Sequence, residues 1–282
     1  MKMNNFKTKK LFFLIIIYAT LIIGGIISIG PLYWVFKSSF TSIDKIFTYP
    51  PDLIPIDLTF EAYPKLFLEV PFWRNMFNSL FVGLIYTFVT VFLSSLVGFG
   101  FAKFKRAPGS SILFFIVLAS MMVPFQTFAL SLFVHIAHLN WVNTYQGLIV
   151  PLIANGFSAF LMTQFMKNFP DEIVDASRID GCSYFIAFFK VVLPVMRPAI
   201  GAVAILQFVH SWNDFFWPLI VLTREEMYTL PVILGSFAVQ QAVVPYDIIA
   251  AAITLATIPM VIVILFAQKQ FISGLTMGAV KS

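Results

Sequence analysis

The chain has 282 residues, 60% of them hydrophobic and 17% aromatic, and only 11% carry a charge. A soluble domain is close to half apolar and a quarter charged, so the composition excludes one and defines an integral membrane protein. A single cysteine, Cys182, excludes an internal disulfide framework, three histidines leave little material for a metal site, and the net charge of +5 follows membrane topology rather than a nucleic-acid partner, as the count below shows.

Taken from the N-terminus, Lys2, Lys7, Lys9 and Lys10 precede an apolar run over 11–36 that contains Pro31. The run is longer than a signal-peptide core and has no small-x-small cleavage site at its end, so it predicts a first spanning helix. Residues 37–74 are mixed and Pro-rich, a long loop outside the membrane with a short helix near 60–67. Span two runs over about 77–101. Gly83, Thr87, Thr90, Ser94 and Gly98 recur along it at three- and four-residue spacing, which predicts a close-packing seam. A basic loop with Lys103, Lys105 and Arg106 leads into span three, about 112–134, which Pro124 kinks or breaks near Gln126 and Thr127. His135 and His138 stand one helical turn apart with no further ligand nearby, so no metal site is predicted. Span four covers about 145–166 and carries Asn155, Ser158 and Met162.

The most informative stretch is 171–198, DEIVDASRIDGCSYFIAFFKVVLPVMRP. Pro170 fits a first helical turn, and Asp171 and Glu172 favour the positive end of the helix dipole. Gly181 takes a left-handed C-terminal cap without strain, and Ser183 can cap a second helix, so the pattern predicts helix, bend, helix. In the second helix Phe185, Phe188, Phe189 and Val192 recur at i, i+3, i+4 and i+7, an apolar stripe that needs a partner and ends at Pro194. A helix lying on the membrane surface would show such a stripe too, but it needs no Gly bend and Pro stop at fixed spacing.

This loop, 167–198, resembles the EAA loop of ATP-driven importer permeases, with the pattern E-A-A-x-x-x-G, nine residues, then I-x-L-P. It stands here as Asp175, Ala176, Ser177, Gly181, Val191, Leu193 and Pro194, with Asp180 ahead of the glycine. Asp175 takes the place of the motif's Glu and Ser177 that of its second Ala. The resemblance implies that Asp175, Ala176, Ser177, Asp180, Gly181, Phe185, Phe188, Phe189, Leu193 and Pro194 dock the chain onto an ATPase subunit.

Span five follows Pro198 and ends around Trp217 to Leu222. Gln207, His210, Ser211 and Asp214 fall at i, i+3, i+4 and i+7, one face of a helix, with Phe208, Trp212, Phe215 and Phe216 beside them. Polar groups at such depth are costly unless they face a bundle interior or a water-filled path. Acceptors beside flat rings suit sugars, whose hydroxyl edges hydrogen-bond while their C–H faces lie against aromatics. Interhelical hydrogen bonding, or an interfacial belt at Trp212 and Trp217, fits the same residues. Asn213, and from other spans Asn155, Ser158 and Gln126, are further candidates for the path. A charged loop with Arg224, Glu225 and Glu226 precedes span six, about 246–266. The tail, 268–282, is read as extended and would reach roughly 50 Å at about 3.3 Å per residue.

With six spans and the N-terminus inside, only Lys37, Lys45, Lys65, Arg74 and Arg224 of the 18 Lys and Arg residues fall outside. The positive-inside rule favours that orientation, with both termini cytoplasmic.

Beyond the loop, 102–109 (AKFKRAPG), 211–218 (SWNDFFWP) and 274–281 (GLTMGAVK) are similar to carbohydrate-importer permeases of the maltose type. The resemblance implies an all-α domain over 1–282 with six transmembrane helices, the type I ABC importer permease fold, in the cytoplasmic membrane of a bacterium. It also implies the partners: a second homologous permease, two ATPase subunits, an extracellular solute-binding protein, membrane lipid, and a sugar or oligosaccharide as solute. Gly274, Leu275, Thr276, Gly278 and Lys281 would be tail contacts to the ATPase. No G-x-x-x-x-G-K-[ST] loop is present, so ATP and magnesium belong to the partner ATPase, and this chain is a non-catalytic subunit with no cofactor or metal of its own. Permeases for other polar solutes, a polyol or glycerol phosphate, share these stretches. An ion-coupled secondary transporter would need inverted repeats and intramembrane coupling carboxylates, for which only Asp214 is available.

Overall fold

The computed structural model describes residues 2–54, 58–239 and 244–279, the terminal stretches by backbone alone, and among these residues there are helices and no strand. The chain forms two compact units, 1–70 with 237–255 and 71–236 with 256–282.

The first unit begins with α1 (Lys2–Ser38), whose segment Leu11–Ser38 is long and apolar enough to cross a membrane and leaves its surface open. The helix ends where side chains take over its last carbonyls: Ser39 Oγ donates to the Phe36 carbonyl at 2.7 Å and Thr41 Oγ1 to that of Lys37 at 2.9 Å. Lys37, expected in an external loop, is instead buried at this end, its ammonium 4.7 Å from the centre of the Trp34 ring. Two short helices follow, α2 (Ile43–Ile46) and α3 (Ala62–Glu69), the latter being the helix expected near 60–67.

The second unit is built on α4 (Phe72–Lys103), a single helix of 32 residues. Its small residues divide between two neighbours, α8 (Gly156–Met166) and α12 (Arg197–Trp212). A Cβ on Gly98 would meet the Met162 backbone at 2.8 Å, and one on Gly83 would meet the Phe208 ring at 3.1 Å, so close helix approach is what these glycines serve. A buried core of Phe99, Met162, Val174, Phe188, Val192 and Val203 runs continuously from α4 into the loop 167–198 and α12. Burying a side chain of this size contributes about 1.5–3 kcal/mol, so loop and spans are held together firmly.

Among the described residues, three segments are single helices long and apolar enough to cross a membrane: Leu11–Ser38, Phe72–Lys103 and, within α15, Tyr246–Phe266. The other three expected spans are broken, each for a local reason. Span three splits at Pro124 into α5 (Ser110–Met122) and α6 (Ala129–His138), with a tight turn at Phe125–Thr127 between them. Span four bends by 48° between Tyr145–Leu152, which includes α7 (Tyr145–Ile149), and α8; Asn155 restarts the helix by accepting from Ser158 N at 2.9 Å. Span five stops at Trp212 because Asn213 Nδ2 donates to the Val209 carbonyl at 2.8 Å, and it resumes as α13 (Phe216–Val221). Trp217, fully buried, ties α13 to α7 through Nε1 and the Gly147 carbonyl at 3.0 Å.

Two features depart from the sequence reading. A helix not expected, α14 (Leu230–Val239), follows the charged loop; Pro231 in its first turn and the apolar run behind it are the signal that marks it. The tail is not extended: α15 (Tyr246–Ala279) continues through 268–279, rising about 1.5 Å per residue in place of about 3.3 Å. Nothing between Gln268 and Ala279 breaks a helix except two glycines, and Leu, Met, Ala and Gln favour one. Gly274, Leu275, Thr276 and Gly278 therefore lie on a helical backbone, while Lys281 is outside the described residues.

Candidate functional site

The loop 167–198 folds as helix, bend, helix. α9 (Asp171–Ile179) starts directly after Pro170, which sits just outside the first turn rather than in it. Gly181 adopts φ +88°, a left-handed conformation for which glycine carries no penalty. Ser183 Oγ then accepts from Ile186 N at 3.2 Å and caps α10 (Tyr184–Ala187). A π-helical turn, Phe188–Val192, and the short α11 (Leu193–Val195) follow. Pro194 offers no N–H to the Lys190 carbonyl, so the ordinary ladder fails here and the wider turn takes its place.

The Phe stripe does not present one docking face. Phe188 and Val192 are 1% exposed, because they belong to the chain's own core, with Phe188 5.3 Å from Phe99. Phe189 turns toward Phe92, 6.2 Å away, and lines a lateral groove of about 590 Å³ with Leu193, Pro194 and Arg197. Phe185 is left outside at 64% exposed. Beside it the sequence reading missed Ile173, Ile186 and above all Ile179, which is 87% exposed; an isoleucine standing immediately before the Asp-Gly stop is the sign that would have found it. Asp175, Ala176, Asp180 and Gly181 lie on the open surface, whereas Ser177 is buried and donates to the Val174 carbonyl at 2.7 Å. Exposed apolar side chains repeated along one loop are unusual on a surface that meets water alone.

At the other end of α4 a polar cavity is lined by Ser79, Tyr86, His210, Ser211, Asp214 and Thr229, with a volume of about 10 Å³, room for one water. Tyr86 donates to Gln207 Oε1 at 2.9 Å. The sequence placed Gln207, His210, Ser211 and Asp214 on one continuous face. They do meet, but α12 ends at Trp212, and Asp214 reaches the cavity only because the helix breaks; its carboxylate accepts from Trp217 N at 3.4 Å. Tyr86, Ser79 and Thr229 come from distant parts of the chain and carry no local signal. Trp212 is buried on the opposite side, 5.6 Å from Phe208, so rings and acceptors point apart. Asn155 lines a separate groove of about 300 Å³ with Ser94 and Ser120, and Ser158 is buried. Asn213 and Gln126 are exposed, and neither lines any of these cavities.

Next to the polar cavity, the loop 223–229 is fastened to α4. Asn75 Nδ2 donates to the carbonyls of Glu225 (2.7 Å) and Tyr228 (3.0 Å), and Asn78 Nδ2 to those of Glu226 (2.8 Å) and Tyr228 (3.0 Å). Tyr145 fixes the Asn78 amide from the other side at 2.7 Å. His135 Nδ1 lies 2.7 Å from the Ser131 carbonyl, and among the described residues no group of three or more His, Cys, Asp or Glu stands ready for a metal.

An all-helical membrane domain in which one long span is flanked by broken ones has the architecture of an importer permease. The structure superposes on a chain from the crystal structure of a bacterial ABC transporter involved in the import of the acidic polysaccharide alginate with a TM-score of 0.81, at 23% identity over 92% of this chain and 96% of that one. Residues 94–276 match the family of binding-protein-dependent transport system inner membrane components, and the chain belongs to that family, as a non-catalytic membrane component. Among its relatives, the arabinooligosaccharides transport system permease protein AraQ of Bacillus subtilis (strain 168) is 40% identical over 231 residues, 82% of each chain. The sn-glycerol-3-phosphate transport system permease protein UgpE of Escherichia coli O157:H7 is 29% identical over 265 residues, 92% of this chain and 94% of that one.

Proposed function

We propose that the chain is one of two related permease subunits that pass an uncharged oligosaccharide across the bacterial cytoplasmic membrane, driven by two ATPase subunits and supplied by an extracellular binding protein. The observation that carries this reading is the loop 167–198, whose Gly181 bend holds exposed Ile179 and Phe185 on a surface joined by continuous core to the spans. ATP and magnesium act on the ATPase subunits. Closure of those subunits moves the loop, the spans tilt, and the path exchanges a cytoplasmic opening for an outward one. Both termini lie in the cytoplasm, in keeping with the distribution of Lys and Arg.

Oligosaccharide is favoured over glycerol phosphate on charge: Asp214 lines the polar cavity and no Lys or Arg does, an arrangement that repels a phosphate and accepts from hydroxyls. The test is ATP hydrolysis by the reconstituted complex in the presence of its binding protein. Arabino-oligosaccharides should stimulate it and sn-glycerol 3-phosphate should not; the reverse order overturns the assignment of the solute.

A further inference from the structure

Besides the core they share at Phe99 and Phe188, the loop and α4 are tied at two further points. Lys103, the last residue of α4, places Nζ 2.5 Å from Asp171 Oδ1 and 3.3 Å from the Asp171 carbonyl. Lys105 adds a second cation 3.6 Å from Oδ2. An ion pair open to water holds little, and the Asp171 side chain is 52% exposed, but the Lys103 side chain is only 8% exposed and grips two acceptors on one residue. Each charge also sits at the helix end that favours it, the cation at the C-terminus of α4 and the carboxylate in the first turn of α9. The second tie is Phe104, directly after α4, packed edge-on against Tyr184 of α10 at 5.0 Å, with the Arg178 guanidinium 4.3 Å from the same ring.

What these ties connect decides their meaning. α4 runs unbroken for 32 residues, and from Lys103 it reaches Tyr86 and then Ser79 on the wall of the polar cavity after about 26 and about 36 Å at 1.5 Å per residue. The alternative route, through α12, starts behind an 80° bend between Tyr184–Val195 and Arg197–Trp212 and brings His210 and Ser211 to the same cavity. A push on the loop changes direction at that bend, whereas the straight helix carries it along one axis.

We propose that Lys103 and Asp171 are positioning residues, a strut through which movement of the docking loop enters α4 and reaches the solute path. The proposal rests on the docking role given to the loop above, and on the strut as a polar connection of that loop to α4 beside the shared core.

The test uses the complete complex with the lone cysteine removed (Cys182→Ser) and Phe88, which is 71% exposed on the lateral groove, changed to cysteine (Phe88→Cys). Labelling of that site by a small maleimide is timed without nucleotide and after trapping with ATP and vanadate. The background protein should change its labelling rate on trapping. Lys103→Met and Asp171→Asn should bind a normal amount of ATPase yet lose about fivefold or more of that response, the lower range of coupling between sites. Lys103→Arg should keep it. The exchanged pair, Lys103→Asp with Asp171→Lys, should recover part of it, held below full by charges set against the helix dipoles. An undiminished response in both single variants overturns the strut. So does loss of bound ATPase in the single variants without recovery in the exchanged pair, because Asp171 is then a docking residue. If even the unsubstituted chain retains no ATPase, the docking reading itself fails and takes the strut with it.

Discussion

Asp214 stands at a helix break, with Asn213 closing α12 behind it and the amide of Trp217 held by its carboxylate in front. Two roles are therefore combined in one side chain, a cap for α13 and an acceptor on the cavity, and both survive replacement by Asn, which keeps an oxygen of similar reach. Asp214→Asn should leave uptake within about twofold of normal, whereas Asp214→Ala removes both and should lower it about tenfold, the equivalent of one hydrogen bond of about 1.4 kcal/mol. A proton-coupled carrier would give equal loss for both, so uptake measured for the pair separates the two. At Gly181 nothing lies within 4 Å of where a Cβ would stand, so the obstacle to substitution is φ +88° alone. Gly181→Val should cost about 1–3 kcal/mol locally and reduce the ATPase that co-purifies with the chain, while Gly181→Asn, which tolerates the left-handed region, should retain it. Gly181 and Ser183 were legible in the sequence because caps and bends are local. Tyr86 was not, since its value comes from meeting Gln207 across 121 residues of chain.

Among the elements, the straight spans could be read from length and hydropathy and the break at Pro124 from proline chemistry, whereas span four was read as continuous and its bend before Asn155 was missed. The stripe in 185–192 has the expected period, but the chain itself covers Phe188 and Val192 and leaves Phe185 open. Periodicity locates an apolar face but is silent on whether its own chain covers it, and α4 covers Phe188 with Phe99. α4 also governs the loop 223–229 through Asn75 and Asn78. Asn78→Ala would leave the Glu226 carbonyl without that partner and weaken the hold on Tyr228, at a cost of about 1–3 kcal/mol. Amide hydrogen exchange over 223–229 should then accelerate, while α4 itself stays protected. At the C-terminal end of α4, the hydrogen bond from Lys103, with burial opposing it, holds the Asp171 carboxyl below its ordinary range. A depressed carboxyl favours the folded pair above the ordinary aspartate range and loses that contribution only as pH falls through the lowered value. The ratio of the labelling rates at Phe88→Cys with and without nucleotide, in which the thiol's own titration cancels, should therefore be level from about pH 8 to about pH 5, and a decline of that ratio centred near neutrality would contradict the assignment.

At the scale of the molecule, family membership and fold agree on a membrane component of a transport system. In the function proposed above, the loop, α4 and the polar cavity are the route from the ATPase to the solute. The cavity has room for about one water, so on that proposal the solute enters only when the spans move. The most direct measurement is uptake of an arabino-oligosaccharide into vesicles carrying the full complex and its binding protein, with ATP and ion gradients set independently. Uptake should require ATP on the ATPase side, continue when a protonophore collapses the proton gradient, and cease when ATP is withdrawn. Uptake sustained by an ion gradient without ATP would contradict the account.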